Sequence, residues 1–239
     1  MSEIKSIFII LVDISGYTRF IKFHKISLLH AEKIIAELME SILKQVEVPV
    51  ITHEILGDAI SLYAIDEEKE DQAIRIYGQL EKYFSAFRDR EAALISGCSL
   101  CRCDACKQVG KLKLKAILHY GKAAFTKIQN IRKISGEDII LSHRLLKNSL
   151  TSKEYILMTK AFADRSPLLD LSGLQKHTEH DPDLGIIHLL VRDLETDVRA
   201  ANLSFWKKLN EFWKIERSLF SFRNKAEKKI FRNLPYERV

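Results

Sequence analysis

An α+β fold, one sheet layered by helices, is predicted by three features of the sequence. Apolar runs of strand length alternate with longer segments of three- and four-residue periodicity. The runs at 48–56 and 58–65 meet at Gly57-Asp58, a hairpin signal. Other strand-like runs are separated by helical patterns, so hairpins and helical connections mix, as in an α+β sheet.

The first strand is expected at 6–13, a continuous Ile/Phe/Val/Leu run that ends at Asp13. From 17 to 46 the pattern turns helical: Leu28, Ile34, Ile35, Leu38, Met39, Ile42, Leu43 and Val46 recur three and four apart. The hairpin follows, then a helix over 69–90 carrying Ala73, Ile76, Leu80, Tyr83, Phe84 and Phe87. Residues 111–120 and 122–131 read as two strands joined through His119-Tyr120-Gly121. A helix is expected over 136–150, with acids in its first turn and bases later, as the helix dipole favours. Residues 155–159 and 185–191 are two more short strands.

The last segment differs. Phe205, Phe212 and Leu219 repeat every seven residues, as do Trp206, Trp213 and Phe220, and with Leu209 they form one aromatic face. This predicts a main domain over 1–195, with a Cys-rich loop at 96–110, and a C-terminal amphipathic helical extension over 196–239. Such a helix packs on its own domain, joins a dimer contact, or lies on a membrane surface.

With 239 residues, 46% hydrophobic and 29% charged, the chain can build a packed core. No apolar run reaches the roughly 18 residues of a membrane-spanning helix. The apolar run near the N-terminus lacks a cleavage site, so a cytoplasmic location is expected. The net charge of +6 suits anionic small molecules, membrane surfaces or nucleic acid, without selecting among them. No nucleic-acid partner is expected, because the basic aromatic stretch near the C-terminus reads better as an amphipathic helix.

Two aspartates sit at strand ends beside glycines: Asp13 in "VDISGYT" and Asp58 in "ILGDAIS". If their strands are neighbours, the two carboxylates converge at the rim of the sheet. Paired carboxylates suit Mg²⁺ or Mn²⁺, which prefer oxygen and keep open positions for phosphate and water. Ser15-Gly16-Tyr17-Thr18 then opens a helix whose free N–H groups suit an anion. Alternatively, Asp13 caps a helix and Asp58 sits in a turn.

The segments "FIILVDISGYTRF", "THEILGDAISLYA", "LKLKAILHYGKAAF" and "ISGEDIILSHRLL" resemble, in order and spacing, the class III adenylate/guanylate cyclase catalytic domain. The resemblance covers roughly 6–192. The cysteine segment is similar to that of an uncharacterised, DUF2652-like bacterial branch. The resemblance implies a ferredoxin-like core, a homodimer whose sites lie between two chains, and metal-assisted conversion of a purine nucleoside triphosphate to its cyclic nucleotide and pyrophosphate. It implies Asp13, Ile14 and Asp58 as metal positions for Mg or Mn, and the turn at Gly16, Tyr17 and Thr18 as a phosphate seat. Glu54 falls where the family reads the purine, with Lys133 as its counterpart, and an exposed cross-strand Glu–Lys pair is the alternative. Arg144 matches a transition-state arginine, whereas Ile140 stands where the family has asparagine. Lys176 is the candidate for a triphosphate-binding lysine.

Cys98, Cys101, Cys103 and Cys106 form C-x2-C-x-C-x2-C. In a reducing compartment this clustering points to metal or redox chemistry. A structural zinc ion, an Fe–S centre and free thiols all fit the pattern, and His177 and His180 could join such a site.

Overall fold

The computed structural model describes residues 3–21, 25–98, 101, 103–129 and 131–194, with 206, 207, 209, 210, 212 and 213 beyond them. The predicted C-terminal extension thus lies outside the described residues, apart from those last six positions, which are helical.

The first strand, β1 (Glu3–Ser15), leads into α1 (Tyr17–Ile21) and α2 (Lys25–Leu43). The hairpin β2 (Ile51–Leu56) and β3 (Ala59–Ile65) follows, then α3 (Gln72–Cys98) and a short α4 (Asp104–Gln108) with a 3-10 turn at Val109–Lys111. A long strand β4 (Lys113–Ile128) and β5 (Ile131–Ser135) come next. The chain continues through α5 (Glu137–Arg144), β6 (Tyr155–Thr159), α6 (Lys160–Asp164), β7 (Gln175–Asp181) and β8 (Gly185–Asp193).

The sheet runs β2-β3-β1-β4-β6-β8-β7, with β5 paired to β4 off that path. Among the described residues only the β4–β6 pairing is parallel. Its β1-α-β2-β3-α-β4 portion, in order 2-3-1-4, is the ferredoxin-like arrangement. The predicted α+β class therefore holds.

The unbroken apolar run of β1 has a direct cause. Phe8, Ile10, Val12 and Ile14 enter the core under α2 and α3, while Ile7, Ile9 and Leu11 enter a second core beside α5. A strand buried on both faces shows no alternation. Truncating one such residue, Ile10 or Leu11, to alanine costs about 2–5 kcal/mol. Asp13 continues the odd-numbered series, so its side chain points to the α5 face, beyond the apolar residues.

Three expectations need correction. The join predicted at His119-Tyr120-Gly121 is no turn: β4 runs straight through it. A Cβ on Gly121 would lie 2.2 Å from Asp138 Cγ, and Asp138 Oδ2 accepts the Lys122 N–H at 2.6 Å. The glycine makes room for a long-range carboxylate rather than for a bend. Residues 175–181, where no strand was expected, form the edge strand β7. The helix expected over 136–150 stops at Arg144. Among the described residues no helix is long and apolar enough to cross a membrane.

Candidate functional site: an aspartate pair in a basic cavity

Strand β1 ends because Gly16 adopts φ +94°, a conformation that L side chains rarely reach. A Cβ there would also press on the Lys111 carbonyl at 3.3 Å. The chain turns, and the Phe20 N–H bonds the Gly16 carbonyl at 3.0 Å to start α1. This places Asp13 at the sheet rim, opposite Ala59 on one side and Lys115 on the other. The β2–β3 turn brings Asp58 alongside, where its carbonyl accepts the Ile14 N–H at 3.3 Å.

The two carboxyl groups are close enough to interact. Burial, and then the negative charge of Asp13, push the Asp58 carboxyl up to about 7. Lys115 Nζ lies 2.9 Å from Asp13 Oδ2 and donates to the Leu146 carbonyl at 2.8 Å. One lysine thus balances part of a converged acidic pair. The pair fits a divalent cation: its oxygens are hard donors already gathered, and the strained alternative is to share a proton.

Around the pair opens a cavity of about 540 Å³ lined by the Asp13–Phe20 turn, Asp58, Gln108 and Lys111–Lys113. Arg19, Lys111, Lys113, Lys115 and Lys153 supply five cations to its wall against the two aspartates. A concave wall with that excess of positive charge draws in polyanions. Of the predicted phosphate seat, Gly16, Tyr17 and Thr18 all line this cavity.

Other predicted positions lie elsewhere. Glu54 sits on β2 opposite Ser61, and Lys133 on β5 opposite Thr126. Their strands are not neighbours, so the alternative cross-strand Glu–Lys pair does not form. Arg144, at the end of α5, reaches the β7–β8 hairpin: Nη1 is 2.5 Å from Asp181 Oδ1 and Nη2 is 2.7 Å from Asp183 Oδ2. Ile140 is 52% exposed on the same helix. Lys176 pairs with Leu190 on the distant edge strand and does not line the cavity.

The lysines that do line it were legible. In "KLKLK", Lys113 and Lys115 alternate with leucines at the start of β4, and a period of two puts them on one face of the strand, while Lys111 precedes it in the 3-10 turn. Lys153 carried no such signal.

Beneath Lys113 lies a buried acid. Glu91 on α3 is fully buried, neither carboxyl oxygen accepts a hydrogen bond, and Lys113 Nζ approaches only to 4.0 Å. Burial pushes its carboxyl up to about 7; nearby Glu154 adds to this, while Lys113 and Arg88 oppose it. The folded protein therefore holds the Glu91 proton more tightly than the unfolded chain does. That contribution to stability is complete below about pH 4.5 and is lost as the pH rises through 7. Glu91→Gln should therefore raise the melting temperature at pH 8.5, by on the order of 2 kcal/mol in stability, and leave it nearly unchanged at pH 5. An equal gain at both values would contradict the burial of an ionising carboxyl.

The cysteine segment folds back on α2. His30 Nδ1 lies 3.2 Å from Cys103 Sγ, 3.6 Å from Cys101 Sγ and 3.8 Å from Cys106 Sγ. The four donor atoms fall within 4.8 Å of one another, a group able to hold a metal ion. His30 was missed because it stands some seventy residues away on a helix. His177, read as a possible member, instead contacts Glu179 at 2.8 Å and Ser149 Oγ at 3.1 Å on β7.

A family model described as "Protein of unknown function (DUF2652)" matches residues 35–155. The chain belongs to the DUF2652 family. An uncharacterized protein of Mycobacterium tuberculosis, Rv2561/Rv2562, is 33% identical over 94 residues, 35% of this chain and 44% of that protein. The chain thus spans less than half the length of that relative. Among solved structures, the guanylyl cyclase Cya2 superposes with a TM-score of 0.59 at 15% identity, over 84% of this chain and 98% of its own. The adenylyl cyclase CyaB from P. aeruginosa gives 0.57 at 13%, over 82% and 98%. A class III adenylyl cyclase-like ATP-binding protein from Pseudomonas aeruginosa gives 0.56 at 14%, over 69% of this chain and 35% of its own. At such identities the likeness is one of fold. This DUF2652 protein has the fold of class III nucleotide cyclase catalytic domains.

Proposed function

We propose that this DUF2652 protein binds a purine nucleoside triphosphate, GTP or ATP, with Mg²⁺ or Mn²⁺ and converts it to the 3′,5′-cyclic nucleotide and pyrophosphate. The observation that carries this reading is the contact of Asp13 with Asp58 in a cavity ringed by lysines. Asp13, Asp58 and the backbone at Ile14 would hold the divalent ion. When bound, that ion supplies positive charge to the triphosphate and acidity to the attacking hydroxyl. Lys111, Lys113 and Lys153 neutralise the phosphate oxygens, and the Gly16–Thr18 turn seats them. Asp13 keeps Lys115 at the inner wall, where it limits repulsion between the carboxylates.

A homodimer belongs to this reading. Glu54, Lys133 and Arg144 do not line the cavity of their own chain. In a site shared by two chains they would act on the partner's nucleotide: Glu54 and Lys133 at the base, Arg144 at the phosphates. The edge strand β2 also exposes Ile51, Ile55 and Leu56, each about half accessible, and apolar residues on an open edge strand call for a cover. For the cysteine segment the reading is a zinc ion.

A second reading is favoured by α5. Arg144 is already engaged by Asp181 and Asp183, and Ile140 offers no hydrogen bond. On that reading the protein binds a nucleotide and does not turn it over. The class III adenylyl cyclase-like ATP-binding protein of Pseudomonas aeruginosa, similar in fold, lends it support. Purified protein incubated with Mn²⁺ and GTP, or ATP, separates the two. Binding with cyclic product is the expected result. Binding without product from either nucleotide leaves only the second reading, and absence of binding retires both.

A further inference from the structure

Helix α4 is only five residues long, too short to persist without an external tie. It nonetheless begins the segment that walls the cavity, since Gln108, Lys111 and Leu112 line it and the Lys111 carbonyl abuts the Gly16 turn. Its apolar anchors, Ala105, Val109 and Leu112 with the nearly buried Cys106, reach the core from its buried side. A further hold on this segment is the gathering of sulfurs at its start around the buried His30 of α2.

We propose that His30, Cys101, Cys103 and Cys106 bind one structural zinc ion, and that this ion ties α2 to the 103–112 segment and so sets the cavity wall. The ligand set differs from the four cysteines that the sequence suggested: His30 enters and Cys98 is left beside it. Tetrahedral zinc, with Zn–S of about 2.3 Å and Zn–N of about 2.0 Å, separates nitrogen from sulfur by about 3.5 Å. The three distances from His30 Nδ1, 3.2, 3.6 and 3.8 Å, bracket that value. Donors this close leave no room between them for the iron and sulfide atoms of a cluster. One imidazole with three thiolates is a closed zinc shell, with no position left for substrate.

The backbone presets one of the ligands. Cys103 caps α4, and its sulfur accepts the Cys106 N–H at 3.4 Å, so it is oriented by backbone before any ion arrives. Cys98, at the end of α3, contacts Cys106 from outside this set. Zinc binding releases the three thiol protons to solvent, so affinity rises with pH.

The test needs no nucleotide, so its outcome is independent of the cyclase reading. Protein purified without added chelator should contain about one zinc per chain by elemental analysis. His30→Ala and Cys106→Ser should each lose at least four-fifths of it, whereas Cys98→Ser should keep it. Hydrogen exchange should show residues 103–112 protected in the zinc-loaded protein. That protection should fall at least tenfold after zinc is stripped, return on its re-addition, and leave β1 and β3 unchanged. Zinc absent and not taken up on addition would overturn the assignment. So would zinc retained by His30→Ala and lost by Cys98→Ser. Unchanged exchange at 103–112 after stripping would remove the role in the wall.

Discussion

Asp58→Asn is expected to abolish the metal dependence of nucleotide binding while leaving the fold at least as stable as that of the parent protein. The two halves of this result have separate causes. In the parent, Asp58 is held against Asp13 in a partly buried turn, where burial, and then the negative charge of Asp13, push its carboxyl up to about 7. Replacing one carboxylate by an amide of the same shape ends the repulsion and keeps the turn. It also removes a hard oxygen ligand, and the charge that attracts a divalent cation falls by half. Affinity for GTP or ATP with Mn²⁺ should drop to that measured without metal, and any cyclic-nucleotide formation should fall by at least about 10²-fold. Asp13→Asn should lose the same metal dependence with some loss of stability, since Lys115 would then face the cavity without its carboxylate. Titration calorimetry with and without Mn²⁺, beside thermal melts, reads both halves. If Asp58→Asn kept its metal dependence, the aspartate pair would be a turn feature and nothing more.

What the sequence disclosed here, and what it hid, divides by range. Strand β1 was legible because burial on both faces leaves a run with no polar interruption until Asp13. The hairpin was legible because Gly57-Asp58 marks the reversal locally. The pairing of Asp13 with Asp58 needed only the expectation that these strands adjoin, and they do. Strand β7 was hidden because "QKHTEHD" lies at an edge with little apolar burial, so it shows no hydrophobic alternation. The continuity of β4 through Gly121 was hidden because its cause, the Asp138 carboxylate, arrives from a helix some seventeen residues on. His30 was hidden for the same reason on a larger scale. A histidine within an amphipathic helix reads as an ordinary interior residue until the cysteine segment closes on it. The lysines of "KLKLK" are a different case: their period of two was in plain view, and only the opposing Asp13 gave it a meaning.

Ile140→Asn is the second large effect, and it acts on the rate rather than on binding. The side chain at 140 is about half exposed on α5, so exchanging it for a shorter polar one removes little burial and the fold should tolerate it. The cyclase resemblance puts an asparagine at this position, where its amide would orient the ribose and the departing phosphates. A positioned donor of that kind contributes on the order of 10²–10³-fold to a rate. The gain is expected only in part while Arg144, one helical turn further on, stays held by Asp181 and Asp183. Asp183 is the more exposed of the two, and Asp183→Asn should release one side of the guanidinium without disturbing the Asp181 turn. Cyclic product formed per minute should therefore rise from the parent through Ile140→Asn to Ile140→Asn/Asp183→Asn, by about 10²-fold or more overall, with nucleotide affinity nearly constant. A flat series, with binding intact, would mean that α5 does not face the nucleotide of a second chain, and the protein would then be a nucleotide binder on a cyclase fold.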